Sequence, residues 1–225
     1  MCIAWLKSSI GKKALMAVSG LMLVGFLISH LLGNLLIFRG PDALNAYAAK
    51  LRHYGALLWV ARGVLLAAVV VHIITSMKLA VENRRARPQA YQVYGVKETN
   101  LARRTMVASG LLVLAYIVYH LLQFTFGVTN PAISHAVDSL GRHDVYAMVV
   151  GSFRQIPIVL TYVLGLALVS LHLSHGVASA FQTLGLTNDR TLPLLVVCSR
   201  LFALALFIGY SSIPAAIWLG RIGAR

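Results

Sequence analysis

Long apolar stretches alternate with short basic connections along this chain. Four stretches contain no Asp, Glu, Lys or Arg, namely residues 14–38, 105–137, 155–188 and 201–220. A helix that crosses the hydrocarbon core of a bilayer needs about 20 mostly apolar residues, and each stretch is long enough. The region from Arg52 to Arg84 is a fifth candidate, because Arg62 and Lys78 lie near its ends, where long basic side chains reach the headgroups. The pattern predicts five membrane-spanning segments.

These segments are predicted to be helical, because only helices and closed barrels satisfy every backbone hydrogen bond in lipid. We expect spans near residues 14–38, 57–81, 104–127, 156–183 and 197–219. The fold class is therefore an all-α integral membrane protein, with residues 1–225 forming a single transmembrane domain of five bundled helices. Residues 43–54 mix apolar and basic positions, which predicts a short interfacial helix. For residues 144–153, a second short helix and a structured loop both stay open.

Composition agrees with this reading. Of the 225 residues, 59% are hydrophobic and 12% are charged, against roughly 25% charged in soluble domains. The net charge of +14 lies in the short connections, so membrane topology explains it and no nucleic acid partner is expected. With five spans the termini fall on opposite sides. Twelve basic residues on one side against eight on the other predict a cytoplasmic N-terminus and an outer C-terminus. Cys2 and Cys198 stand alone, without the spacing of a disulfide framework or metal site.

An internal repeat links the two halves of the chain. Ser19-Gly20-Leu21 precedes His30 by the same interval at which Ser109-Gly110-Leu111 precedes His120. The second and fourth spans match less well, but each carries a histidine late in its length, His72 and His172. Repeats of this kind often frame a binding site in membrane proteins.

The depth of the first two histidines is similar. His30 lies 17 residues beyond Lys13, which corresponds to roughly 25 Å at 1.5 Å per residue. His120 lies 16 residues beyond Arg104, at almost the same height. Both are therefore predicted to lie toward the outer side of the membrane.

The other two histidines are predicted to lie nearer the cytoplasm. His72 is about ten residues before the charged loop, and His172 is 13 residues before Gly185, so both lie roughly 15–20 Å in. An ionisable residue inside a membrane is costly and is a functional candidate by default. Two pairs at two depths fit two stacked haems, each held by two imidazoles, with His30 and His120 on the outer iron and His72 and His172 on the inner iron. Six-coordinate haem iron carries electrons.

Other residues are candidates for supporting roles in this hypothesis. His175 competes with His172, since both lie in the fourth span, and His172 is preferred because the repeat pairs it with His72. Small residues near the ligands would let a haem approach the backbone, and hydroxyls would orient the imidazoles. Basic side chains at the span ends would bind propionates. The small residues are Gly25, Gly33, Ser76, Gly176 and Ser179. The hydroxyls are those of Ser29 and Ser76, and the basic side chains are those of Arg62, Lys78, Arg103 and Arg154.

The sequence resembles the five-helix, dihaem cytochrome b subunits of succinate dehydrogenase and fumarate reductase. The matching motifs include Ser19-Gly20 through His30-Leu-Leu-Gly-Asn34, His120-Leu-Leu-Gln-Phe124, Asp144-Val-Tyr-Ala-Met148 and His172-Leu-Ser-His-Gly176. Further matches lie at residues 8–13, 45–48, 58–62, 104–106 and 179–185, while residues 186–225 match only in hydropathy. His30, His72, His120 and His172 stand where the haem ligands of this family stand.

This resemblance implies a membrane anchor in the cytoplasmic membrane of a bacterium, with two b haems. It implies a flavoprotein subunit with FAD and an iron–sulfur subunit on the cytoplasmic face, and a quinone substrate, usually menaquinone. Candidates for the quinone site are Ser8, Asn34, Lys12, Ser76, Lys78 and Gln123. Some members use an acidic residue in the fourth span for proton movement, whereas Ser170 stands in the equivalent neighbourhood here.

Two alternatives stay open. A dihaem cytochrome b can serve another dehydrogenase, such as a hydrogenase or a formate dehydrogenase, and the soluble partner subunits would distinguish that case. A transporter that relays protons through intramembrane histidines belongs to a different class and predicts no haem.

Overall fold

The computed structural model of the protein describes residues 8–86 and 98–223. Its helices are α1 (Ser9–Asn34), α2 (Pro41–His53), α3 (Ala56–Arg85), α4 (Glu98–His120), α5 (Pro131–Ser134), α6 (Val145–Phe153), α7 (Ile156–Thr183) and α8 (Thr191–Trp218). A 3-10 helix at Leu35–Arg39 follows α1, and a π-helical segment at Leu121–Thr125 follows α4. No strand forms within the described residues, where β pairing is confined to one isolated bridge between Val137 and His143.

Five of these helices are long and apolar enough to cross a membrane, as the charge spacing predicts. The candidate spans are Ser9–Arg39, Ala56–Arg85, Thr105–Thr125, Ile156–Thr183 and Thr191–Trp218. The predicted bounds of the fourth span agree to the residue, whereas the first and fifth begin five and six residues earlier than predicted. The short helix predicted over residues 43–54 is confirmed as a helix, at Pro41–His53. Residues 144–153, for which a helix and a structured loop were both open, form a helix at Val145–Phe153.

Large apolar side chains are exposed along the whole length of the long helices. Examples are Leu32, Leu66, Leu160, Leu164 and Leu201, each more than 60% exposed. Such continuous apolar surface is rare on soluble monomers, and in a bilayer it contacts lipid tails. The chain is therefore a multi-pass membrane protein.

A Gly-Pro step separates the first span from the short helix α2. Gly40 has φ of 98°, a conformation that side chains with a Cβ rarely adopt, and its N–H donates to the carbonyl of Ile37. Pro41 then occupies the first turn of α2, where its missing N–H costs nothing. The step ends one helix and starts the next without an intervening loop.

Packing divides the described chain into two compact units. The first unit contains the described parts of residues 1–26, 62–111 and 171–203, and the second contains those of residues 27–61, 112–170 and 204–225. Each unit therefore takes residues from both copies of the sequence repeat. His72 and His172 belong to the first unit, and His30 and His120 belong to the second.

A polar network and an apolar cluster hold the second unit together. Asn45, on α2, is 1% exposed and donates to Asp138 Oδ2 at 3.2 Å and to Asp144 Oδ1 at 3.0 Å, while its own oxygen accepts from the N–H of Tyr146 at 3.0 Å. Asp144 also caps α6 by accepting from Ala147 N at 2.9 Å. The buried side chains packed near this network are Ile37, Leu44, Val150, Phe153, Tyr162, Ile213 and Ile217. The short helices α2 and α6 are thereby fixed to each other.

Candidate functional site

The four histidines of the predicted site form two close pairs. In the first unit the ring centres of His72 and His172 lie 6.4 Å apart, with their planes at 75°. In the second unit the ring centres of His30 and His120 lie 5.9 Å apart, with their planes at 85°. We call these the 72/172 pair and the 30/120 pair. The structure brings together the same partners that the sequence positions predict.

Hydrogen bonds determine which nitrogen of His72 carries the proton. Its Nδ1 lies 3.0 Å from the carbonyl oxygen of Met16 on α1. A carbonyl only accepts, so Nδ1 carries the hydrogen and donates it, and Nε2 keeps its lone pair. Metal-bound histidines are oriented in this way, with the second ring nitrogen donating to a carbonyl.

The same reasoning applies to His172. Its Nδ1 lies 3.2 Å from Ser109 Oγ, and this hydroxyl also lies 3.1 Å from the carbonyl of Met106. Because Ser109 has one hydroxyl hydrogen and the carbonyl can only accept, the hydroxyl donates to Met106 and accepts from His172. Nε2 of His172 is then the nitrogen with a lone pair. Both members of the 72/172 pair have the tautomer that a metal ligand needs.

The Ser-Gly step of the repeat packs against these two imidazoles. A Cβ on Gly20 would lie 3.1 Å from His72 Cε1, and one on Gly110 would lie 3.4 Å from His172 Cε1. The two glycines occupy equivalent positions in the repeat, so each copy contributes one glycine that admits a histidine ring from another helix. The Ser-Gly step of the repeat is therefore a packing position for a histidine ring, which the spacing of the repeat alone does not reveal.

Tyrosines surround the 30/120 pair. Tyr162, on α7, has its hydroxyl 3.2 Å from His120 Nδ1. Tyr210, on α8, donates to the carbonyl of Leu27 at 2.7 Å, and its ring centre lies 6.2 Å from that of His30. The ring centre of Tyr116 lies 6.4 Å from that of His120. Sequence reasoning did not single out these tyrosines, although each is a polar group in an apolar span and needs a hydrogen-bond partner there.

The number and kind of ligands in each pair suit a haem iron. A b-type haem iron can take two histidine ligands from the protein, and each pair brings two imidazoles together, with ring centres 5.9 Å and 6.4 Å apart. Neutral imidazole is also the donor that b-type haem iron takes. The 30/120 and 72/172 pairs therefore fit one haem each.

The described residues contain no group of three or more His, Cys, Asp or Glu side chains placed to hold a metal ion by themselves. A haem iron takes four of its ligands from the porphyrin and needs two from the protein, which is the number each pair supplies.

Several predicted supporting residues have other partners. Ser76 Oγ donates to the backbone carbonyl of His72 at 2.5 Å, so Met16 orients the imidazole instead. The space at Gly33 is taken by Tyr47, whose Cε1 would lie 2.6 Å from a Cβ there. Nothing lies within 4 Å of a Cβ placed on Gly25, which leaves open space beside α1.

The predicted propionate ligands differ in their surroundings. Arg154 donates to the carbonyl of Gly223. Arg62 and Lys78 are exposed, and the side chain of Arg103 falls outside the described part of the chain. Of the two histidines on α7, His172 is the one whose ring lies beside His72, and His175 is half-buried one turn further on.

Gln123 is the most unusual of the candidates for the quinone site. It lies in the π-helical segment three residues after His120, is 1% exposed, and has no hydrogen-bond partner for either amide atom. π-Helical turns occur frequently at functional sites, and a buried amide without a partner is rare in proteins.

In comparisons with known proteins, no protein-family model, no curated protein and no solved structure matches this chain.

Proposed function

We propose that this chain is the haem-carrying membrane anchor of a succinate:quinone oxidoreductase, that is, of a succinate dehydrogenase or a fumarate reductase. The proposal assigns one b haem to the 30/120 pair and one to the 72/172 pair. It places the flavoprotein and iron–sulfur subunits on the cytoplasmic face and gives membrane quinone, with menaquinone the expected species, as the electron partner. FAD and iron–sulfur clusters belong to those partner subunits.

One observation carries the proposal. Four histidines from four long helices, α1, α3, the end of α4 and α7, lie as two pairs with ring centres 5.9 Å and 6.4 Å apart. A single intramembrane histidine is readily explained by a hydrogen bond between helices. Two pairs of neighbouring imidazoles, each made of equivalent histidines from the two copies of the repeat, are explained most simply if each pair would hold one haem iron.

The residues of this chain would bind and orient the cofactors. Nε2 of each histidine of the 72/172 pair has the lone pair for iron, because Met16 and Ser109 accept the Nδ1 hydrogens. Bound haem supplies one-electron transfer between ferric and ferrous iron. Two histidines in each pair would hold a haem iron without leaving room for oxygen to bind it, which suits an electron carrier. The apolar helix surfaces keep the assembly in the membrane.

The test is purification of the native complex through an affinity tag on this chain, followed by haem quantification and mass identification of the partners. We expect two haems b per chain, together with a flavoprotein and an iron–sulfur subunit. A colourless complex would contradict the proposal and favour a histidine-relay transporter. Two haems with hydrogenase or formate dehydrogenase subunits would show that the cofactors are right and the assignment of the enzyme is wrong.

His172→Ala provides the residue-level test, with His175→Ala as the matched control on the same helix. We expect His172→Ala to lose one of the two haems, because the 72/172 pair would keep only one of its two ligands, and His175→Ala to keep both. Two haems after His172→Ala, or one after His175→Ala, would show that the ligand on α7 is misassigned.

A further inference from the structure

The two histidine pairs differ in the groups that accept their Nδ1 hydrogens. Around the 72/172 pair the acceptors are the carbonyl of Met16 and the hydroxyl of Ser109. At His120 the group within hydrogen-bond distance of Nδ1 is the phenol oxygen of Tyr162, at 3.2 Å. From this contact we propose that Tyr162 is a positioning residue for the iron held by the 30/120 pair. It would fix the tautomer of His120 and set the reduction potential of that iron. This inference rests on the proposed function.

The direction of the bond follows from the chemistry of the ligand. If Tyr162 donated to Nδ1, the hydrogen of His120 would sit on Nε2, and that nitrogen could not bind a metal. Ligation by Nε2 therefore requires that Nδ1 donates and that the phenol oxygen accepts. A hydrogen bond of this kind raises the basicity of the imidazole and so the electron density that the iron receives.

Close packing holds the phenol in place. Tyr162 is 4% exposed, and its ring centre lies 5.0 Å from Phe153 and 5.5 Å from both Phe124 and Tyr116. Aromatic neighbours at these separations pack edge to face and leave the ring few alternative positions. The hydroxyl of such a side chain stays where the packing puts it, which here is beside His120.

A glycine on α7 sets the approach of the two helices. A Cβ on Gly165 would lie 2.2 Å from Cδ2 of Tyr116, far inside any normal contact, so a side chain at this position would push α7 away from α4. Gly165 is one turn after Tyr162, and Tyr116 is one turn before His120. The contact between Gly165 and Tyr116 therefore brings Tyr162 within reach of His120.

The test is a redox titration of the purified holo-complex carrying Tyr162→Phe, which removes the hydroxyl and leaves the ring. Without its acceptor, His120 donates less electron density, so the ferric state of that haem is less stabilised. We expect two haems per chain, with one of the two reduction potentials shifted upward and the other unchanged. The low-spin ferric electron paramagnetic resonance signal of the same haem should shift as well.

Two further variants assign the change. Ser109→Ala removes the acceptor of His172, so it should shift the other potential and leave the Tyr162-dependent one unchanged. Tyr119→Phe alters the same aromatic cluster, since its ring centre lies 5.9 Å from that of Tyr162, and it should change neither potential. Should Tyr162→Phe lose a haem, loss in Tyr119→Phe as well would overturn the inference in favour of packing, and loss in Tyr162→Phe alone would support it.

The results that would overturn the role of Tyr162 differ from those that would overturn the anchor function. A Tyr162→Phe complex with two haems, both at wild-type potentials, overturns the role of Tyr162 and leaves the anchor function standing. A wild-type complex without haem overturns the anchor function and the role of Tyr162 together.

Discussion

At the scale of single residues, the candidate site is organised by small groups that touch imidazoles. Met16 and Ser109 accept hydrogens from His72 and His172, and Gly20 and Gly110 leave room for the same two rings. None of these contacts involves a charged side chain, which avoids the cost of about 2.5 kcal/mol or more that a charge carries inside a membrane. The groups around these imidazoles are a backbone carbonyl, a hydroxyl and two glycines that leave room for the rings.

Gln123 allows a stability prediction at this scale. Both of its amide atoms are buried without a partner, and such a group costs about 1–3 kcal/mol relative to an apolar one of similar size. We expect Gln123→Leu to raise the free energy of unfolding of the purified chain in detergent by an amount in that range, measured by thermal or denaturant unfolding. Gln182→Leu, at an exposed position on α7, is the control and should change little. A destabilised Gln123→Leu protein would contradict this expectation and show that the amide has a hydrogen-bond partner in the folded protein, as a quinone site there would require.

At the scale of helices, a network of hydrogen bonds and ion pairs fixes α2 to α6. Arg142 lies 2.8 Å from both Asp42 and Asp138, and Asn45 joins Asp138 to Asp144. Three of the six carboxylates of the chain are therefore gathered at one place outside the spans. The network fixes the mostly polar helix α2 to α6, which also packs through buried apolar residues such as Val150 and Phe153.

This network should make stability depend on pH in the acid range. Partial burial by itself raises the pKa of Asp138, but hydrogen bonds from Arg142, Leu140 and Asn45 outweigh it, so the pKa lies below its ordinary value. A carboxylate with a lowered pKa stabilises the fold above its unfolded value of about 3.9 and loses that contribution as pH falls through the folded value. We expect Asp138→Asn to be less stable than the wild type at neutral pH and to lose less stability between about pH 4 and pH 2.

Unfolding temperatures measured across that range check the expectation. Asp189→Asn, which changes an exposed carboxylate in the connection between α7 and α8, serves as the control and should follow the wild type. If Asp138→Asn followed the wild-type profile at every pH, the network would contribute nothing to stability.

The sequence predicted the spans and the histidine pairs well, for physical reasons that differ. Charge spacing identifies spans because lipid excludes charges, but helices continue past the apolar window into basic residues, which is why α1 begins at Ser9 and α8 at Thr191. The pairing of histidines followed from rise per residue and the repeat. The roles of Tyr162, Tyr210 and Ser109 could not be predicted, because they depend on how each helix is rotated about its axis.

His143 shows the same limit outside the spans. A histidine in a connection between spans is expected from hydropathy to be solvated, but His143 is half-buried. Its Nε2 lies 2.8 Å from the carbonyl of Ser134, and its Nδ1 is buried. The fold of a connection depends on contacts distant in sequence, and hydropathy does not report them.

At the scale of the whole molecule, an odd number of spans gives a topology that can be tested. Five crossings would put the two termini on opposite sides, and the distribution of basic residues predicts a cytoplasmic N-terminus. We expect a reporter fused after Arg225 to register the outer side, and the same reporter fused after Gly185, between α7 and α8, to register the cytoplasm. Matching signals from the two fusions would show that α8 does not cross the membrane.

The pairing of histidines across the two copies of the repeat has a consequence for assembly. His30 and His120 are 90 positions apart in the chain, and His72 and His172 are 100 apart, so an iron at either site would act as a cross-link that closes a very long loop. Neither copy alone contains both members of a pair. Haem binding and folding of the chain would then be coupled. Bound haem would raise the unfolding temperature of the protein. In cells starved of haem, the chain would accumulate in a form that is easily degraded.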